Sequence, residues 1–268
     1  MHCKTVPLAL LLVATLASCS SANFYQVYQT ASETVKTKSD RYISYENDHC
    51  RVSYDLWSEN GNAGFTFYNK TTEVIYLHLD ESFYVMNGVA HDYFQNRTFL
   101  SGNNAVTAKT AGMGFGRYGI INTLSSTTVD SKMSGVEVLE AKTIAIPPNT
   151  AKRISEYDIT RELYRDCNLL RFPSARKVTT KSFTAENTPL KFYNVLNYTL
   201  GTNEARQKIT NDFYVTAITN YPEKEVIESV RKDFCGEKEA LATKEMSGVA
   251  PDKFWLRYQK SEKDNRKH

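Results

Sequence analysis

One region of the sequence carries four side chains that could form a polar site: His78, Asp80, Tyr84 and His91. His78 and Asp80 lie two residues apart, and side chains at that spacing share one face of a β-strand. With a second histidine from a neighbouring strand they would make a ligand set for a metal such as zinc. The alternative, which we favour, is an ordinary Tyr84–His91 cross-strand pair or simple exposure. We therefore assign no metal ligand, no cofactor and no catalytic residue.

Other reactive residue types lack the neighbours that their chemistry requires. Residues 114–119 read Gly-x-Gly-x-x-Gly, but a dinucleotide site needs a strand before this motif and a helix after it, and neither pattern is present. His49 and Cys50 are adjacent and would point to opposite faces of a strand, so they make a poor nucleophile and base pair. The carboxylates show no motif for glycan hydrolysis, which needs two acids at a defined separation.

Composition describes a globular chain without an electrostatic preference for a partner. Of 268 residues, 41% are hydrophobic, which is enough for a sizeable core. The aromatic share of 12% favours β-sheets, whose pleated surfaces are half-buried. The net charge of +3 gives no reason to expect nucleic acid as a partner. Beyond the N-terminal segment the cysteines are Cys50, Cys167 and Cys235, and nothing in their spacing selects a disulfide.

The N-terminal segment reads as an export signal. Residues 6–16 are apolar behind a single Lys4, and this run is too short to span a membrane. The stretch Leu16-Ala17-Ser18-Cys19 resembles a bacterial lipoprotein signal, which implies cleavage between Ser18 and Cys19 and acylation of Cys19. The alternative is an ordinary secretory signal cut at the small residues 20–22, which would give a secreted protein.

The remaining chain alternates in the manner of β-strands. In residues 51–57 the apolar side chains Val52, Tyr54 and Leu56 share one face. Asn87-Gly88 predicts a two-residue hairpin turn, because a type I′ turn needs positive φ at both positions. That turn would place Met86 opposite Val89, Tyr84 opposite His91, and Phe83 opposite Asp92. Near the C-terminus, Pro222 with neighbouring acids and apolar residues at helical spacing predicts a helix ending at residues 235–236.

These patterns predict a mainly β fold: an antiparallel β-sandwich, immunoglobulin-like in general architecture, with a long polar loop and one C-terminal helix. We divide the chain into a signal peptide (1–18), a lipidated Cys with a flexible tether (19–40), the sandwich domain (41–258) and a disordered charged tail (259–268). A loop insertion occupies about residues 101–135, where Ser, Thr, Gly, Asn and Ala dominate. Residues 24–28 form an aromatic patch within the tether that would dock as an edge strand.

Four short stretches resemble envelope lipoproteins of the Bacteroidota type. They read NFYQVY from residue 23, GFTFYNKT from residue 64, LRFPS from residue 170 and NYPEKE from residue 220. The resemblance implies a cellular location, but it implies no activity for this protein. Surface-exported lipoproteins of that lineage carry acids soon after the lipidated Cys. Residues 20–23 carry none, which implies the periplasmic face of the bacterial outer membrane.

The sequence therefore predicts a lipid-anchored cell-envelope protein that acts as a non-enzymatic binding or interaction module. Its expected partners are the membrane, through the anchor, and another envelope protein or a glycan, with no role for nucleic acid. The alternative is an envelope hydrolase acting on glycan or peptide with a site that the sequence does not identify.

Overall fold

The computed structural model describes residues 22–102 and 135–260. The predicted signal peptide, the Ser18 and Cys19 cleavage site, the glycine motif at 114–119 and most of the charged tail lie outside the described residues. Predictions that concern those segments stay predictions.

Strands dominate the described chain. Numbered along the sequence, they are β1 (Asn23–Ala31), β2 (Thr37–Lys38), β3 (Ile43–Glu46), β4 (Cys50–Tyr54), β5 (Phe65–Asn69), β6 (Ile75–Met86), β7 (Val89–Asp92), β8 (Thr98–Gly102), β9 (Gly135–Leu139), β10 (Thr143–Ile146), β11 (Ala151–Ile154), β12 (Thr180–Ser182), β13 (Lys191–Leu200), β14 (Asn203–Pro222), β15 (Ile227–Val230), β16 (Asp233–Phe234), β17 (Glu237–Lys238), β18 (Thr243–Met246) and β19 (Lys253–Gln259). One helix, α1, covers Glu223–Val226.

Two antiparallel sheets form the body of the molecule, and the fold is a mainly β, sandwich-like architecture as predicted. The larger sheet has eight strands in the order β10-β6-β13-β14-β1-β19, with β12 beside β14 and β7 beside β6. The smaller sheet has five strands in the order β11-β5-β4-β3-β2. Three further two-stranded ladders join β8 to β9, β15 to β18 and β16 to β17.

Aromatic side chains join the two sheets across a single hydrophobic core. Tyr54 of β4 packs edge-on against Phe213 of β14 with ring centroids 5.0 Å apart, and Phe67 of β5 contacts Tyr198 of β13 at 5.6 Å. The Tyr54 hydroxyl, which would be costly to bury alone, accepts a 2.7 Å hydrogen bond from the amide of Asn211. Facing strands therefore supply both the apolar contacts of the core and the hydrogen-bond partner of a buried polar group.

The local β predictions are confirmed. Val52, Tyr54 and Leu56 are all buried. The Asn87-Gly88 turn joins β6 to β7 with φ values of 47° and 86°, and it sets the predicted register, including Tyr84 opposite His91. Both predictions rest on residues close in sequence, for which alternation and turn geometry are decisive.

The tether prediction for residues 19–40 is wrong from Asn23 onward. Strand β1 begins there, and it is an interior strand of the larger sheet, hydrogen-bonded to β14 on one side and to β19 on the other. The polar composition of this region hid a strand whose buried polar side chain, Gln26, finds a partner in the distant Asn220 at 2.8 Å. The aromatic patch at 24–28 is therefore part of the sheet interior and not an edge.

The C-terminal helix is shorter than predicted. Only one turn, α1, forms after Pro222, and the chain then extends into β15. Ile227 and Val230 are β-branched residues that favour strands, and β18 supplies a hydrogen-bonding partner that the local helical spacing does not reveal. Among the described residues there is no helix with the length and apolar character needed to cross a membrane.

Candidate functional site

The structure divides the predicted polar cluster between two faces of the sheet. His78 and Asp80 point outward from β6, whereas Tyr84 is buried. The division arises at an irregularity in the β6 and β13 pairing, where His78 faces Asn197 but Phe83 already faces Val195. The extra residues on β6 reverse the alternation, so the four side chains do not converge on one site.

His78 is held by hydroxyl groups on the outer face. Its Nε2 atom lies 3.1 Å from the Thr199 hydroxyl, its Nδ1 atom lies 3.2 Å from the Thr143 hydroxyl, and the Arg206 guanidinium also contacts Nε2. Burial and the charge of Arg206 lower the pKa of His78, which favours the neutral imidazole. In the described part of the chain, no group of three or more His, Cys, Asp or Glu side chains is placed to hold a metal.

Tyr84 and His91 form the predicted cross-strand pair within an aromatic cluster. Their rings are stacked with centroids 6.0 Å apart, and Tyr157 stacks on Tyr84 at 5.3 Å. The Tyr84 hydroxyl is buried without a hydrogen-bond partner among the described residues, and burial raises its pKa. The cross-strand pair that we favoured over a metal site therefore forms, and Tyr84 belongs to the hydrophobic core.

Cys50 is placed against a tyrosine rather than against an activating base. Its side chain is 0% exposed, and burial raises the pKa of its thiol to about 12. The neighbouring His49 directs Nδ1 to the Tyr198 hydroxyl at 2.9 Å. A nucleophilic cysteine needs a lowered pKa, so Cys50 has the opposite electrostatic environment. Cys167 and Cys235 are exposed, and all three thiols are free.

An arginine-rich pocket of about 280 Å³ opens on the outer face of the smaller sheet, and the sequence did not predict it. We name it the arginine pocket. Its cationic side chains are Arg41, Arg51 and Arg153. The other residues that line it are Tyr42, Ser53, Tyr54, Asp55, Asn62, Gly64, Phe65 and Thr66.

Strand register brings these residues together. Ser53 of β4 and Arg153 of β11 both stand opposite Thr66 of β5, and directly opposed residues of antiparallel strands point to the same face. Arg51 lies one alternation step away, two residues before Ser53. With strands about 4.8 Å apart and about 3.4 Å per residue, the Cα atoms of Arg51 and Arg153 are about 12 Å apart. Two extended arginine side chains span that separation.

The turn between β2 and β3 closes the pocket from one side. Within this turn the Ser39 amide donates to the Tyr42 carbonyl at 2.9 Å, and the Ser39 hydroxyl oxygen accepts from the Tyr42 amide at 3.2 Å. The turn places Arg41 and Tyr42 beside Arg51. The Arg51 guanidinium carbon then lies 5.9 Å from the ring centroid of Tyr42 and 5.1 Å from that of Tyr68. Cation–π contacts with these two rings orient this side chain.

Three arginines share the pocket with one carboxylate, that of Asp55, so positive charge is in excess within it. Glu46 stands opposite Arg51 in the ladder, but its carboxylate pairs with Lys70 at 2.7 Å, which lowers the pKa of Glu46. Within residues 22–102 and 135–260, no ion pair or hydrogen bond engages the guanidinium of Arg41, Arg51 or Arg153, and the Arg51 Nε atom is buried without an acceptor. Arginine side chains so placed can bind an oxyanion.

A second pocket, of about 330 Å³, lies under the segment from Leu163 to Arg171. Its buried amides are already satisfied. The Gln26 amide nitrogen donates to the Tyr164 carbonyl at 2.9 Å, its amide oxygen accepts from the Tyr164 backbone nitrogen at 2.8 Å, and Asn220 donates to the Leu170 carbonyl at 2.8 Å. This network attaches the segment to the sheet and engages the buried amides, whereas Arg165 and Arg171 also line the pocket.

A weak sequence signal for the arginine pocket existed at Arg51 and Ser53, which alternate with buried residues and must face outward. Arg153 gave no signal, because its approach depends on β11 pairing with β5 across a long intervening chain.

Comparison with protein-family models, with curated proteins and with solved structures finds no match to this chain.

Proposed function

We propose that this protein is a lipid-anchored binding module of the bacterial cell envelope, without catalytic activity, held by Cys19 at the periplasmic face of the outer membrane. The observation that carries the binding role is the arginine pocket, which opens to solvent on the outer face of the smaller sheet. Binding sites combine a preformed concavity with a few convergent polar groups, and this pocket has both.

The residue chemistry of the pocket favours binding over hydrolysis. Guanidinium, hydroxyl and amide groups share the lining with aromatic side chains, and these polar groups hold and orient a ligand. Its one carboxylate, Asp55, accepts a 3.1 Å hydrogen bond from the backbone nitrogen of Trp57, so it organises a turn. Cys50, the buried thiol, has a pKa unsuited to nucleophilic attack.

Site-specific photocrosslinking in cells tests this function. A photoreactive phenylalanine replaces Tyr42 at the rim of the arginine pocket, and a matched variant carries it at Tyr76, an exposed aromatic on the larger sheet. We expect a reproducible adduct from position 42 and none from position 76. The proposal fails if neither position yields an adduct, or if both yield the same adducts.

A further inference from the structure

We propose that the arginine pocket binds the oxyanion of an acidic sugar residue, a carboxylate, sulfate or phosphate carried on a single pyranose ring. This inference rests on the binding role proposed above and specifies the ligand. Three observations lead to it: uncompensated charge, a fixed guanidinium and a small, hydroxyl-rich pocket.

The excess positive charge of the pocket favours the binding of an anion. Arg41, Arg51 and Arg153 line one pocket with a single acid, Asp55, whose carboxylate is engaged by the backbone at Trp57. Like charges that share a concavity repel one another, and an oxyanion that enters it relieves that repulsion while forming charge-assisted hydrogen bonds. The Glu46 carboxylate, opposite Arg51 in the ladder, forms its ion pair with Lys70, although the charge of Arg51 also lowers the pKa of Glu46.

Arg51 is already oriented. Its guanidinium carbon lies 5.9 Å from the ring centroid of Tyr42 and 5.1 Å from that of Tyr68. Arg51 is half-buried and lines the pocket, so an oxyanion there can accept a charge-assisted hydrogen bond from its guanidinium. Because the side chain is fixed before binding, less conformational entropy is lost when the ligand arrives.

The size and lining of the pocket select a sugar ring over a peptide. Its volume of about 280 Å³ is bounded, and it lies at the small end of ligand sites, so it suits one ring rather than an extended chain. Ser53, Thr66 and Asn62 add hydroxyl and amide groups around the arginines, and these match sugar hydroxyls.

A matched ligand series tests the inference with the full-length protein in detergent. The glucose ring is offered unmodified or with a carboxylate, sulfate or phosphate at its primary carbon, and inorganic phosphate serves as the bare ion. Ligand-observed nuclear magnetic resonance gives the dissociation constants. We expect at least one charged sugar to bind while glucose does not, and we expect inorganic phosphate to bind more weakly than the charged sugar.

Arg153→Gln and Arg41→Gln remove charge from exposed positions, so the fold should survive, and melting temperatures check this. Each substitution is expected to raise the dissociation constant of the charged sugar by roughly ten-fold, because one charge-assisted hydrogen bond is lost. The control Arg176→Gln removes an exposed arginine outside the pocket and should leave binding unchanged.

Four results would overturn the inference: no charged sugar binds, glucose binds equally well, inorganic phosphate binds as tightly as the sugar, or both pocket variants bind like wild type. If the Tyr42 crosslink persists under any of these results, the binding function stands and only the ligand assignment falls. If the crosslink is absent while the charged sugar binds, the binding function proposed for the cell falls, and only the affinity of the pocket for the sugar stands.

Discussion

Arginine side chains in this molecule meet two contrasting environments. Arg97 is enclosed by carboxylates: it pairs with Glu140, whose side chain is 6% exposed, and with Glu156 at 2.6 Å. The hydrogen bonds that Arg97 donates to Glu156 and Glu140 raise the pKa of Arg97, and those to Glu140 lower the pKa of that carboxyl. A buried charge needs such partners. The arginine pocket keeps its charges unpaired at a solvent-facing site, where an incoming anion can take the place of a carboxylate.

The Cys50 thiol is expected to resist alkylation in the folded protein. It is fully buried, and its pKa of about 12 leaves only about one thiolate in ten thousand at about pH 8. Peptide mass mapping after brief treatment with iodoacetamide should show modification at the exposed Cys167 and Cys235 and none at Cys50. In urea all three should react alike. Equal labelling of Cys50 and Cys167 in the native protein would contradict the structure.

At the scale of elements, pairing with distant strands decides what local patterns cannot. The Asn87-Gly88 hairpin was predictable down to its register because turn and strands are adjacent in sequence. Strand β1 was not, because its two neighbours, β14 and β19, come from the other end of the chain. The same reason hid the arginine pocket, since no local pattern places β11 beside β5. Sequence alternation gives the face of a residue but not the strand that it meets.

Strand β1 is expected to be essential for folding. A variant lacking residues 23–31 would leave β14 and β19 without the strand that lies between them and would expose backbone groups on both. We expect it to lose the cooperative thermal transition in circular dichroism. The matched variant lacking residues 20–22 removes chain before the strand and should melt like wild type. Cooperative melting of the first variant would restore the tether interpretation.

The buried Gln26 amide should be a strong determinant of stability. Gln26→Ala leaves the Asn220 amide oxygen and the Tyr164 backbone nitrogen without one of their partners inside the fold. Unsatisfied buried groups cost about 1–3 kcal/mol, so the free energy of unfolding in urea should fall by about that amount. Gln259→Ala, on the exposed side of neighbouring β19, should change it by less than about 0.5 kcal/mol. Similar losses for both variants would argue against the network.

For the molecule as a whole, the early start of β1 changes the expected relation to the membrane. The larger sheet begins at Asn23, a few residues after Cys19, so an acylated Cys19 would hold the folded domain close to the bilayer rather than on a long leash. The arginine pocket lies on the other sheet, which contacts the first through the shared core and through polar contacts such as the ion pair of Lys38 in β2 with Asp252. In the proposed function the anchor and the binding site therefore belong to different layers of the sandwich.

Cys19→Ala tests the anchor on which the proposed location depends. Each buried methylene of an acyl chain contributes about 0.8 kcal/mol, so multiple chains on Cys19 should keep the protein in the membrane fraction. We expect the substitution to abolish incorporation of radiolabelled palmitate and to release the protein into the soluble fraction. Cys3 belongs to the same N-terminal segment and would leave with the predicted signal peptide, so Cys3→Ala should retain both label and membrane association. Label and membrane association that survive Cys19→Ala would refute lipidation at this residue, and the absence of label from the wild type would favour an ordinary secretory signal cut at residues 20–22.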